Sequence, residues 1–269
     1  MINTFIFHKL RSIRAIAGDW APSVTLGVSI LTLWEAAVRG FDVPTWLLPA
    51  PTVIATEIGH STPLLVKHAI ITAQEVAIGF SIASTFGCVL AIAIVQSRIL
   101  ERSLYPFVIA SQTIPIITIA PLLLVWVGPE QTSKIIVVAL ISFFPIVVNL
   151  VDGLRSTDPE MVDMLRTLGA GQRTVFIKLR FPMALPFLFS GLKIAAVVAV
   201  IGAVIGEWVG AQGGLGWLMK VSGPQFQTAR VFASITWLSS MAIALFLLVS
   251  LTERWTLRNY PKGRKGQQL

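Results

Sequence analysis

The chain is poor in charge and nearly devoid of reactive sulfur. Its single cysteine, Cys88, excludes an internal disulfide, and its place in an apolar run makes it a packed small hydrophobe. Charged residues occupy 13% of 269 positions, about half the share in soluble domains. No G-x-x-x-x-G-K-[ST] loop occurs, which excludes ATP binding of that kind. His8, His60 and His68 fall outside the apolar centres, and H-E-x-x-H, G-x-S-x-G and paired intramembrane aspartates are missing. Metal, serine and aspartyl hydrolysis therefore lack their parts, so no catalytic residue and no metal site is expected. Any work must be powered by a partner. Basic residues outnumber acidic ones by 21 to 13, but no aromatic-interleaved basic patch calls for nucleic acid.

What the chain does have is apolar length: 55% hydrophobic residues and a mean hydropathy of +0.78. Arranged in long runs, that excess describes an all-α polytopic membrane protein with about six spans. A basic arm, residues 1–19, precedes a first span from about Trp20 to Val38. No cleavage site follows cleanly, so that span is read as uncleaved. Asp42 to Lys67, with Pro44, Pro49, Pro51 and Pro63, is too broken to be helical throughout. Further spans are expected at about Lys67–Gln96, Leu104–Val127, Lys134–Val151, Ala184–Val209 and Val231–Leu251. Pro106, Pro115 and Pro121 should leave the third kinked or irregular. A single bundle over residues 20–254 and a basic tail, 255–269, complete the organisation.

Basic residues sort by loop. With the 158–186 loop inside, fifteen Lys and Arg lie on that side and Arg39, Lys67, Lys134, Lys220 and Arg230 on the other. By the positive-inside rule both termini are then cytoplasmic, with the arm and tail against anionic lipid heads.

The segment Asp158–Pro186, DPEMVDMLRTLGAGQRTVFIKLRFPMALP, interrupts the apolar runs with helix punctuation. Asp158 is a good N-cap, Pro159 suits the first helical position, and Glu160 favours the positive dipole end. Met161, Leu165 and Leu168 fall on one stripe, with Asp163 and Arg166 elsewhere. Gly169 is the expected stop. A second run, Gln172 to Arg180, is expected to be broken by Pro182 and Pro186. Two readings stay open on the residues alone: a helix lying on the lipid surface, or a helix docked in a partner's groove.

The order Asp158-Pro159-Glu160, Asp163, Gly169-Ala170, Phe181-Pro182 and Pro186 resembles the EAA loop of ATP-binding cassette (ABC) importer permeases. Asp163-Met164-Leu165 stands where E-A-A would and Phe181-Pro182 where L-P would, so the acid is shortened and both alanines are bulkier. The resemblance runs from about Leu48-Pro49-Ala50-Pro51 to Gly214-Leu215-Gly216 and points to the branch for nitrate, sulfonates and taurine. It implies a type I importer permease fold in the bacterial inner membrane, working as a homodimer with two ATPase subunits and an extracytoplasmic substrate-binding protein. No cofactor is implied for this chain, ATP and Mg belonging to the ATPase. The coupling residues it implies are Glu160, Met161, Asp163, Leu165, Arg166, Leu168, Gly169 and Ala170. Thr72–Phe80, Tyr105–Pro115 and Val200–Gly210 look most like permeases for hydroxymethylpyrimidine-type thiamine precursors, with riboflavin systems close and sulfonate or taurine permeases second.

Polar residues inside spans are the candidates for the solute path, since they are costly unless they face protein or water. They are Glu75, Gln112, Thr113, Asn149, Glu207 and the adjacent Trp208. Each has a plain alternative: a glutamate at a span end reaches headgroups, and Gln or Asn bridges helices. The Gly210–Gly216 run is either a turn or, with Trp217, a re-entrant cap toward the binding protein. The rival class is an ion-coupled secondary transporter, which needs midplane ionisable groups where this chain has them at span ends.

Overall fold

The computed structural model describes residues 2–258, with side chains from Ala21 onward. In chain order the helices are α1 (Ile2–Gly40), α2 (Pro51–His60), α3 (Thr62–Gln96), α4 (Arg98–Ser111), α5 (Ile116–Val127) and α6 (Gln131–Arg155). They continue with α7 (Pro159–Thr167), α8 (Gln172–Val175), a π turn (Phe176–Arg180), α9 (Phe181–Gly210), α10 (Leu215–Ser222) and α11 (Thr228–Leu257). No strand occurs among the described residues. Among the described residues five helices are long and apolar enough to cross a membrane, six spans if α4 and α5 together form one broken span.

The chain divides into two compact units: the residues up to Thr62 with Ser222–Ala233, and Pro63–Val221 with the chain from Ser234 on. In the first unit α2 has no side-chain cap of its own. Glu35 of α1 supplies one, accepting from Thr52 N at 3.0 Å and Thr52 Oγ1 at 2.8 Å, which satisfies an orphan amide of the first turn. Arg230 closes the unit against Glu57 at 2.9 Å. The expectation of an incompletely helical 42–67 segment is met by residues 41–50, which are not helical, before α2, with Pro51 in its first turn, and the start of α3.

The second unit is built on the pairing of α6 with α9. Lipid supplies no hydrophobic drive between helices, so close backbone approach must do the work. At Gly191 a Cβ would stand 2.7 Å from Pro145 O, and at Gly202 2.6 Å from Ile141 Cγ2. Ala195, Ala199 and Ala203 are fully buried on the same face of α9. Lys193 of α9 pairs with Glu253 of α11, so this cation inside a span is not left alone.

The third expected span is irregular to the point of a break: α4 and α5 meet at 99°. Pro106 and Pro121 lie inside helices, and the break is at 112–115. Pro115 has no N–H and pushes Ile114 away from helical geometry. The freed carbonyls are not stranded. Thr113 Oγ1 donates to Ala110 O at 2.7 Å, Ser111 Oγ to Val108 O at 2.7 Å, and Thr118 Oγ1 to Pro115 O at 2.7 Å.

One expectation is corrected. Pro182 and Pro186 do not break the run from Gln172; it continues through the π turn into α9 as one apolar stretch to Gly210. Phe181 N–H reaches back five residues to Phe176 O, and this wider turn takes up the ladder just where Pro182 has no N–H to give. Pro182 then sits in the first turn of α9.

Candidate functional site: the two ends of the α6–α9 pair

At one end, α7 follows directly from α6. Asp158 Oδ1 accepts from Glu160 N at 2.9 Å, and Pro159 takes the first helical position. At its other terminus Ala170 N donates to Leu165 O at 3.0 Å and Gly169 N to Arg166 O at 2.9 Å. With Gly169 at φ +84° this is a Schellman cap, the left-handed residue letting two late amides satisfy carbonyls of the last turn.

The structure divides the expected apolar stripe. Val162, Val175 and Leu179 are buried together, with Leu165 and Ala170 packed against them. Met161, Met164 and Leu168 are exposed instead, Leu168 at 77%. Spacings of three and seven residues put these three on one face, and Val162 with Leu165 on another. A nine-residue helix thus carries two apolar faces, one consumed by its own chain. Glu160, Asp163 and Arg166 are exposed, the last two 3.6 Å apart.

At the other end the geometry centres on α10. The first amides of a helix have no partner within it, and here four consecutive ones are taken by side chains of α3 and α9. Gly214 N donates to His68 Nδ1 at 3.1 Å, Leu215 N to Thr72 Oγ1 at 2.9 Å, and Gly216 N to Glu207 Oε2 at 2.5 Å. Trp217 N adds a longer bond to the same oxygen at 3.3 Å. Thr72 Oγ1 donates in turn to Glu207 Oε1 at 2.6 Å. His68 also stacks on Trp217, ring centroids 5.2 Å apart. Thr72 and Glu207 are 0% exposed.

Two glycines are required. Gly214 has φ +101°, and any Cβ there would overlap the Glu207 carboxyl; at Gly216 a Cβ would lie 2.7 Å from Glu207 Oε2. Glu75 lies beside this cluster, 1% exposed, with Oε2 unpartnered and with Glu207 and Lys134 as the charges that act on it. Lys134 donates to Pro129 O at 2.5 Å and Glu130 O at 3.0 Å. No three His, Cys, Asp or Glu side chains among the described residues converge on a metal position.

The remaining path candidates scatter. Gln112 and Thr113 are exposed at the α4–α5 break. Trp208 is 46% exposed and, with Ile117 of α5, Val204 of α9 and Leu238 of α11, lines an apolar cleft of about 400 Å³. Asn149 is half-buried and donates to Pro145 O at 2.7 Å within α6. Sequence reasoning missed His68, Thr72 and Lys134. The available signal was Thr72 and Glu75 three residues apart on one face of α3, opposite a glycine run whose amides needed acceptors.

Fold and site define a helical protein with membrane-length apolar helices, a short capped helix at one end of its central pair and a side-chain-anchored helix at the other. The chain belongs to the family described as the binding-protein-dependent transport system inner membrane component, which matches residues 83–259; it is an ABC importer permease subunit. It is 37% identical over 225 residues to the formylaminopyrimidine transport permease protein ThiX of Halalkalibacterium halodurans, covering 83% of this chain and 90% of that one. It is 33% identical over 260 residues to the riboflavin transport system permease protein RibX of Chloroflexus aurantiacus, covering 95% and 96%. Among solved structures, inward-facing conformations of the MetNI methionine ABC transporter share the fold at TM-score 0.61 and 19% identity, over 74% of this chain and 96% of that one.

Proposed function

We propose that this permease imports a small nitrogen heterocycle of the formylaminopyrimidine or flavin kind, driven by an ATPase that seats α7. The observation that carries the coupling part is the exposed face Met161, Met164 and Leu168, on a helix capped at both ends and pinned to its own chain by Val162 and Leu165. A helix held that way passes a push from its outer face to the π turn and α9 without bending. Glu160, Asp163 and Arg166 form the polar rim, and Gly169-Ala170 the fixed bend. The substrate class is supported by the two relatives named for such cargo.

In this reading α7 and both termini are cytoplasmic. ATP and Mg bind the ATPase and not this chain. An external binding protein delivers the solute to the α10 end. Two copies of the chain face each other across the solute path, to which the cleft at Trp208 and Ile117 and the exposed Gln112 and Thr113 contribute. Glu207 and Glu75 serve that path indirectly, Glu207 by anchoring α10. A Cys88→Ala, Met164→Cys chain should form a disulfide with cysteines placed in the groove of its co-expressed ATPase; absence of any cross-link along that groove rejects the coupling assignment. Uptake of labelled formylaminopyrimidine or riboflavin into proteoliposomes of the assembled importer, with taurine as competitor, tests the cargo. Competition by taurine alone would reassign it to the sulfonates.

A further inference from the structure

A second cavity near α7, of about 740 Å³, is lined by Arg98 of α4, Arg166 of α7, Arg173 of α8 and Arg180 of the π turn. Gln96 and Gln172 add polar groups, Val95, Phe176 and Ile177 an apolar wall, and no carboxylate among the described residues lines it. Among the described residues the ion pair of Arg166 is the one with Asp163, at 3.6 Å. In the adjoining cavity, which shares Arg166 and Arg180, Glu101 is already held by Arg155 at 2.6 Å. Arg180 Nε is sealed from solvent and has no acceptor.

Four arginines from four separate elements line this one cavity, where like charges are unfavourable to one another, and a buried donor without an acceptor is a standing cost. The arrangement makes sense with an anion inside. Guanidinium forks match the oxygens of a phosphate, which accepts from several donors at once. The apolar wall, with Ile177 53% exposed and Ile99 beside Arg98 79% exposed, suits a ligand that continues into hydrocarbon.

We infer that this cavity binds the headgroup phosphate of an anionic phospholipid, which thereby touches α7, α8 and the π turn at once. The lipid holds the short helix and the head of α9 in one arrangement through Arg166 and Arg180. The inference stands apart from the cargo; it shares Arg166 with the rim proposed for the ATPase, and its test uses the permease chain alone, so the two readings can fail separately.

The full-length chain, purified in a neutral detergent, is titrated with phosphatidylglycerol, phosphatidylcholine or inorganic phosphate while its thermal midpoint is followed. Phosphatidylglycerol should raise the midpoint saturably and phosphatidylcholine should not. In Arg98→Gln, Arg173→Gln, whose altered side chains are exposed and outside any capping role, the half-saturating phosphatidylglycerol concentration should rise at least about tenfold. Arg254→Gln, an exposed change on α11 outside the cavity, should leave it unchanged. Arg180→Lys keeps the charge without the fork and should fall between. Bound phosphatidylglycerol counted by native mass spectrometry should drop by one per chain in the double variant. Equal saturation by inorganic phosphate would overturn the lipid in favour of a free anion. An unshifted half-saturation in the double variant, or an equal shift in Arg254→Gln, would overturn the site.

Discussion

Removing the Glu207 carboxyl should release α10 while leaving the spans folded. In Glu207→Ala, Gly216 N and Thr72 Oγ1 lose acceptors now at 2.5 Å and 2.6 Å, and Trp217 N loses its weaker bond at 3.3 Å. A buried donor left without an acceptor costs about 1–3 kcal/mol; Thr72 Oγ1 keeps His68 O at 3.3 Å as an alternative acceptor, so Gly216 N alone sets the loss, about 1–3 kcal/mol. Because about 1.4 kcal/mol is a factor of ten, amides of residues 211–222 should exchange at least about fivefold faster. Glu207→Gln keeps one acceptor oxygen but turns an amide NH2 toward donors, so its effect should be smaller than that of the alanine. Thr72→Val removes the acceptor of Leu215 N and should cost about 1–3 kcal/mol. The assay is hydrogen exchange by mass spectrometry in detergent, comparing peptides from 211–222 with peptides from the middle of α3, with circular dichroism as the fold control. Unchanged exchange of 211–222 in Glu207→Ala would refute the anchor. Wild-type protection with lost uptake in Glu207→Gln would instead put Glu207 on the solute path.

Gly169→Leu places a bulky side chain at φ +84°, a left-handed position that costs about 1–2 kcal/mol for a non-glycine residue; membrane insertion should be normal and uptake strongly reduced, and normal uptake would detach this bend from coupling. The two faces of α7 should separate by experiment. Met164→Ser should weaken co-purification with the ATPase while thermal stability holds, whereas Leu165→Ser should lower the thermal midpoint by disturbing Val162, Val175 and Leu179. Gly202→Leu would drive a Cβ into Ile141 Cγ2, with overpacking costing about 1–3 kcal/mol. Folded yield should fall, while Gly27→Leu, where nothing lies within 4 Å of the new Cβ, should be silent.

Local chemistry was legible without coordinates. Apolar run length predicts the spans, because a bilayer demands about 20 residues whatever they pack against. The N-cap at Asp158 and the stop at Gly169 are set by groups within a few residues of each other, and the structure places both as their local chemistry requires. The proline-rich third span was expected to be irregular, and it is broken at the proline that follows three turn residues. Pro182 read as a breaker because nothing in its immediate neighbourhood announces a π turn.

What the chain by itself determined is therefore its class, its spans and the punctuation of its loops, all products of nearest neighbours and of the solvent around them. Only the tertiary structure decided which face of α7 remains open, since Leu165 and Leu168 are equally apolar and only the positions of Val175 and Leu179 tell them apart. Only it showed that Glu207 meets Thr72, 135 residues away, and the amides of α10. No periodicity encodes such a pairing. It arises when helices distant in sequence bring a carboxyl and unsatisfied amides into the same water-free space, where each is costly without the other.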